Sequence, residues 1–88
     1  MRVIFFNSFR KDIEKLKSAK LKNRLKLIII QLEEAKNLTE VGQIIKMSGH
    51  PSAYRIRVGA YRLGFYYENN TVQLARFVKR NDIYKLFP

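Results

Sequence analysis

The chain has 88 residues, with 18 Lys and Arg against 7 Asp and Glu, one His and no Cys, giving a formal charge of +11 at pH 7. This length accommodates one domain, residues 1–88. A chain so small buries only about 60–65% of the surface its unfolded form exposes, so function is expected on an open surface and not in a deep pocket. The lack of cysteine excludes a disulfide framework and a thiolate metal site. The lone histidine and scattered carboxylates argue against zinc or two-metal chemistry.

The excess of positive charge points to a polyanion partner, with nucleic acid first, an acidic protein second and an anionic membrane a distant third.

"RVIFF" (Arg2 to Phe6) is a β-branched and aromatic run that predicts a strand. Asn7 or Ser8 is placed to cap the helix that follows. In that helix Phe9, Ile13 and Leu16 recur at i, i+4, i+7. After a break near Ser18 to Lys20, Leu21, Leu25, Ile28, Ile29 and Leu32 mark a wider stripe on a second helix, ending around Lys36-Asn37. Two helices joined so tightly predict an antiparallel hairpin. Its aliphatic run "LIII" (Leu27 to Ile30) falls far short of the ~20 residues of a membrane span. The start "MRVIFF" lacks a signal peptide's apolar stretch, so a cytoplasmic protein with no membrane partner is expected.

"NLTEVGQ" reads as a loop with one helical turn capped by Asn37 and Glu40. "IIKM" (Ile44 to Met47) is a strand, followed by the turn-rich "SGHPS", which makes His50 a loop residue. "YRIRVGAYRLGFYY" (Tyr54 to Tyr67) then reads as two strands folded at Gly59-Ala60. "ENNT" offers a turn at Asn69-Asn70, both tolerant of positive φ. "VQLARFV" is a last strand and "KRNDIYKLFP" a short tail. The order β-α-α-β-β-β-β predicts an α+β domain: an N-terminal strand and an antiparallel helical hairpin packed on a curved, mainly antiparallel sheet.

A two-residue turn at Gly59-Ala60 sets Val58 opposite Tyr61, Arg57 opposite Arg62, Ile56 opposite Leu63 and Arg55 opposite Gly64. Alternation then sends Tyr54, Ile56, Val58, Tyr61, Leu63 and Phe65 to the core and Arg55, Arg57, Arg62, Gly64 and Tyr66 to the other face. Like charges directly opposite destabilise a strand pair by roughly 0.2–1 kcal/mol, so the cluster needs a reason. Between Tyr54 and Lys85 stand seven basic residues against Glu68 and Asp82, so most lack a partner. Guanidinium matches phosphate bidentately, which makes converging arginines a phosphate clamp. Gly64, without a side chain, is expected to open space beside Arg55 for a ligand's backbone. Arg76 falls on the core side in strict register, unless a bulge re-aims it. Tyr66 and Tyr84 offer faces on which unpaired bases stack; Phe77 and Phe87 read as core or partner-facing.

The hairpin, with "KMSG" before it and "RFVKRNDIY" after it, resembles the RelE/ParE superfamily of bacterial and archaeal toxins, and is most similar to RelE-type mRNA interferases of type II toxin–antitoxin systems. The resemblance implies a metal-independent, cofactor-free endoribonuclease in which the RNA 2′-hydroxyl attacks the scissile phosphate. Its implied partners are a cognate antitoxin, the ribosome with its rRNA, and mRNA. Position by position, Arg55 and Arg62 match the basic residues used on the scissile phosphate, and Arg80 and Tyr84 match the closing arginine and tyrosine. These four are the expected catalytic residues, with Arg57, Arg76, Lys79 and Tyr66 expected to bind RNA. Arg57 stands where some members carry a lysine proposed as general base, and arginine, with a pKa of about 12.5 or more, is a poor base. Lys79 stands where many carry histidine. The alternative within the superfamily is a ParE-like inhibitor of DNA gyrase that makes no cut.

Overall fold

A computed structural model describes residues 1–88. The elements are β1 (Arg2–Phe5), α1 (Asn7–Glu14), α2 (Ala19–Glu34), a single 3-10 turn (Leu38–Glu40), β2 (Ile44–Lys46), β3 (Ala53–Val58), β4 (Tyr61–Glu68), β5 (Thr71–Lys79) and α3 (Arg80–Leu86). The five strands form one open sheet in the order β1-β5-β4-β3-β2, with β1 parallel to β5 and the other neighbours antiparallel.

The turns hold the register that the sequence calls for. Gly59 adopts φ +60° ahead of Ala60, the first-position glycine of a II′-type hairpin. Asn69 and Asn70 both take positive φ, 50° and 57°, as a I′ turn requires. The pairs Val58–Tyr61, Arg57–Arg62, Ile56–Leu63 and Arg55–Gly64 form as alternation predicts.

Alternation also divides the apolar residues into two layers. On one face Ile56, Val58, Leu63, Phe65, Val72, Leu74 and Phe77 pack against Phe9 of α1, Leu16, and Leu25 and Leu32 of α2. Fully burying each large side chain of this core contributes about 1.5–3 kcal/mol. On the other face Met47, Ala53, Ala75, Ile83 and Phe87 form a second, smaller cluster.

Helix ends depart from expectation in detail. Ser18 caps α2 by accepting from the Leu21 amide (3.2 Å). Phe6 occupies the cap position of α1, and no side chain caps that helix. Ser8 instead donates to the Ala75 carbonyl (2.6 Å), tying α1 along β5. The α2 helix ends at Glu34, short of Lys36. Asn37 and Glu40 do bracket the 3-10 turn, accepting from the Thr39 and Lys36 amides.

Two corrections follow from β5 and its tail. Phe65 pairs with Leu74 and Gly64 with Arg76, leaving Ala75 as an extra residue in a β-bulge. The bulge puts Phe77 in the main core and Val78 beside the second cluster, whereas unbroken alternation from Val72 and Leu74 would carry Arg76 and Val78 to the core side. The segment read as a short tail is a seven-residue helix, α3. Ile83 and Phe87, four apart, bury against the second cluster and hold α3 to the sheet.

Candidate nucleic-acid interface

The site begins at the β3–β4 turn. Because Gly59-Ala60 sets a two-residue hairpin, Arg57 and Arg62 stand directly opposite each other on the face away from α1 and α2. Arg62 Nη1 donates to the carbonyls of Gly59 (3.0 Å) and Tyr61 (2.8 Å), which folds its guanidinium back over the turn. The start of α3 is pinned to the same turn, because the Arg80 amide donates to the Ala60 carbonyl (2.9 Å).

The result is an open basin of about 470 Å³ lined by Arg57, Gly59, Ala60, Arg62, Lys79, Arg80 and Asn81. Beside it, the Arg55 guanidinium lies 5.2 Å from the centroid of the Tyr84 ring. That cation–π contact at an exposed ring contributes about 0.5–1 kcal/mol and orders both side chains. Arg80 and Tyr84 are i, i+4 neighbours on α3, so one helix delivers both.

Electrostatics show how closely these groups gather. The guanidinium of Arg62 is held below its ordinary pKa, first by partial burial and then by the fields of Arg57, Arg80 and Arg55, with Tyr84 acting in the opposite direction. No carboxylate relieves this repulsion, since the one ion pair in the structure, Arg76 with Asp12, involves none of these residues. Unneutralised donors fixed around one hollow are suited to bind an anion and to stabilise charge that develops on it.

No protein-family model matches the chain. Over 89 aligned residues, covering all of both chains, it is 35% identical to Toxin RelE3 of Methanocaldococcus jannaschii. The chain belongs to the RelE toxin family.

Its RelE fold superposes on the crystal structure of a RelB-RelE antitoxin-toxin complex from Methanococcus jannaschii with a TM-score of 0.82 and 33% identity, covering 97% of this chain and 99% of that one. An archaeal RelE-RelB complex from Pyrococcus horikoshii OT3 shares the fold at a TM-score of 0.70 and 22% identity, covering 90% and 93% of the two chains.

On this RelE scaffold the eight residues singled out from sequence separate into groups. Arg57, Arg62, Lys79 and Arg80 line the basin, and Arg55 and Tyr84 pair at its side. Arg76 is elsewhere. Its Nε and Nη2 form a bidentate fork on Asp12 (2.9 and 3.1 Å), and Asp12 also accepts from the Phe77 amide (2.9 Å). Arg76 thus joins α1 to β5. Tyr66 is also committed to packing, with its ring 5.0 Å from Phe87, 5.1 Å from His50 and 6.2 Å from Phe6. His50 remains a loop residue whose Nδ1 accepts from the Ser52 amide (3.1 Å).

Gly64 overturns its expected role. A β-carbon there would lie 2.7 Å from Phe87 Cδ2, so the space beside Arg55 is filled by the Phe87 ring and not left for a ligand. Asn81 is the basin residue that sequence reasoning missed; the signal was its place directly after Arg80.

Proposed function

We propose that this RelE-family chain is the toxin of a type II toxin–antitoxin system, and that it cuts translated mRNA in the cytoplasm, at the ribosome. The observation that carries this reading is the convergence of Arg55, Arg57, Arg62 and Arg80, with Tyr84, around one open basin free of acids. A cognate antitoxin is the second partner, in keeping with the RelB-RelE complexes formed by its structural relatives.

In the proposed reaction the 2′-oxygen loses its proton and bonds to the adjacent phosphorus, while the P–O5′ bond breaks and O5′ gains a proton. The products are a 2′,3′-cyclic phosphate and a 5′-hydroxyl. Arg62 and Arg80 hold the phosphate and offset the charge of the phosphorane, which is the kind of preorganised electrostatic stabilisation that contributes several kcal/mol. Arg55 holds the Tyr84 ring in place to orient the nucleotide, and Lys79 or Arg80 helps the leaving oxygen. Arginine and lysine are poor bases near neutral pH, so the reading assigns positioning and activation of the 2′-hydroxyl to the ribosome. In-line alignment there adds its own acceleration.

The test is to map transcript ends after brief induction in a heterologous host. Cuts inside translated codons, lost when a reporter's start codon is removed, are the expected result. Intact transcripts accompanied by supercoiling defects would replace the nuclease with a ParE-like gyrase inhibitor.

A further inference from the structure

We propose that the RNA strand held in the arginine basin continues over the Gly59-Ala60 turn into a second phosphate site formed by Lys20 and Arg24 of α2. The inference rests on reading the basin as an RNA-phosphate site. Its starting point is that the turn is a wall shared by two hollows. On one side lies the basin of Arg57, Arg62, Lys79 and Arg80. On the other lies an open hollow of about 280 Å³ lined by Lys20, Leu21 and Arg24, with Ser18 and Tyr61 at its margin. Lys20 and Arg24 are four apart and so share one face of the helix.

The Arg24 guanidinium lies against the turn itself, with Nη1 3.0 Å from the point a β-carbon on Gly59 would occupy. A side chain at position 59 would meet that guanidinium and would also strain the backbone at φ +60°. At Gly59 the crest between the hollows carries no side chain of its own, and the Arg24 and Arg62 guanidinium groups lie beside it from either side.

Neither hollow is lined by a carboxylate, and none of these cations is in an ion pair. Arg24 lies against the same turn over which the Arg62 guanidinium is folded. A polyanion running across the turn meets unpaired positive charge on both sides.

The test is fluorescence anisotropy with the full chain and labelled oligoribonucleotides carrying 2′-O-methyl groups, lengthened one nucleotide at a time from either end. Wild-type affinity is expected to rise roughly fivefold or more as the strand grows past the basin at one end, with the salt dependence steepening by about 0.7 per phosphate gained. In the Lys20→Gln/Arg24→Gln variant that rise is expected to shrink below about twofold, with a salt slope shallower by about 1.4. Both side chains are exposed, so an unchanged melting curve checks that the fold is intact. A variant that keeps the full gain with length overturns the second site. That holds equally if its binding to ribosomes weakens, a result that would place Lys20 and Arg24 against ribosomal RNA. Wild-type cleavage on ribosomes with no gain on extension overturns the second site alone. Absence of both RNA binding and cleavage removes the basin reading with it.

Discussion

Arg57 faces Arg62 across the hairpin, and neither is in an ion pair. Removing one should relax the fold while weakening the proposed hold on phosphate. Arg57 is exposed, so Arg57→Gln should stabilise the domain by about 0.2–1 kcal/mol, a rise of roughly 1–8 °C in melting temperature for a domain of this size. Calorimetry checks the rise, and oligonucleotide titration checks the loss of affinity that should accompany it. The depressed pKa of Arg62 has a definite sign in stability. Folding disfavours its charged form, so the destabilisation is complete at every pH below the folded-state pKa. It is relieved only as pH climbs from there toward the higher unfolded value, well into the alkaline range. Melting temperature near neutral pH should therefore show no step from Arg62, whereas added polyphosphate should raise it there. A neutral-pH step that disappears in Arg62→Gln would contradict this account.

At the scale of elements, what the sequence reveals is whatever is set by neighbours along the chain. The hairpin register follows from Gly59 and strict alternation on either side, and the Asn69-Asn70 turn from two residues that tolerate positive φ. What escapes depends on partners far along the chain. The fork of Arg76 on Asp12 joins residues 64 apart, and a bulge at Ala75 leaves no mark in composition. The α3 helix has only seven residues, too few for periodicity to declare it, and is held by burying Ile83 and Phe87. Gly64 reads as an opening because nothing near it in sequence announces that Phe87 will lie over it. Two variants probe these joints. Gly64→Ala forces the Phe87 ring aside and should destabilise by about 1–3 kcal/mol, with reduced growth arrest because α3 carries Arg80 and Tyr84. Asp12→Asn breaks the fork and weakens the bond to the Phe77 amide, and should lower stability in urea by about 1–3 kcal/mol. Unchanged denaturation midpoints would show that neither joint bears on the fold.

For the whole molecule, size and charge act together. An 88-residue chain with a net charge of +11 places its chemistry on the surface, and a small α+β scaffold suffices to gather guanidinium groups from β3, β4 and α3. These strands and helix converge because a hairpin turn and a helix start are bonded to each other through the Ala60 carbonyl and the Arg80 amide. No helix is long and apolar enough to cross a membrane. In the proposed reaction Arg62 acts on the transition state and does more than attract RNA. That role is tested most directly by the single-turnover cleavage rate of ribosome-bound mRNA at saturating protein, wild type against Arg62→Ala, with folding verified by circular dichroism. Loss of one preorganised donor to developing charge predicts a rate lower by about 10²–10³-fold at saturation. An equal maximal rate, reached only at higher protein concentration, would reduce Arg62 to a binding residue.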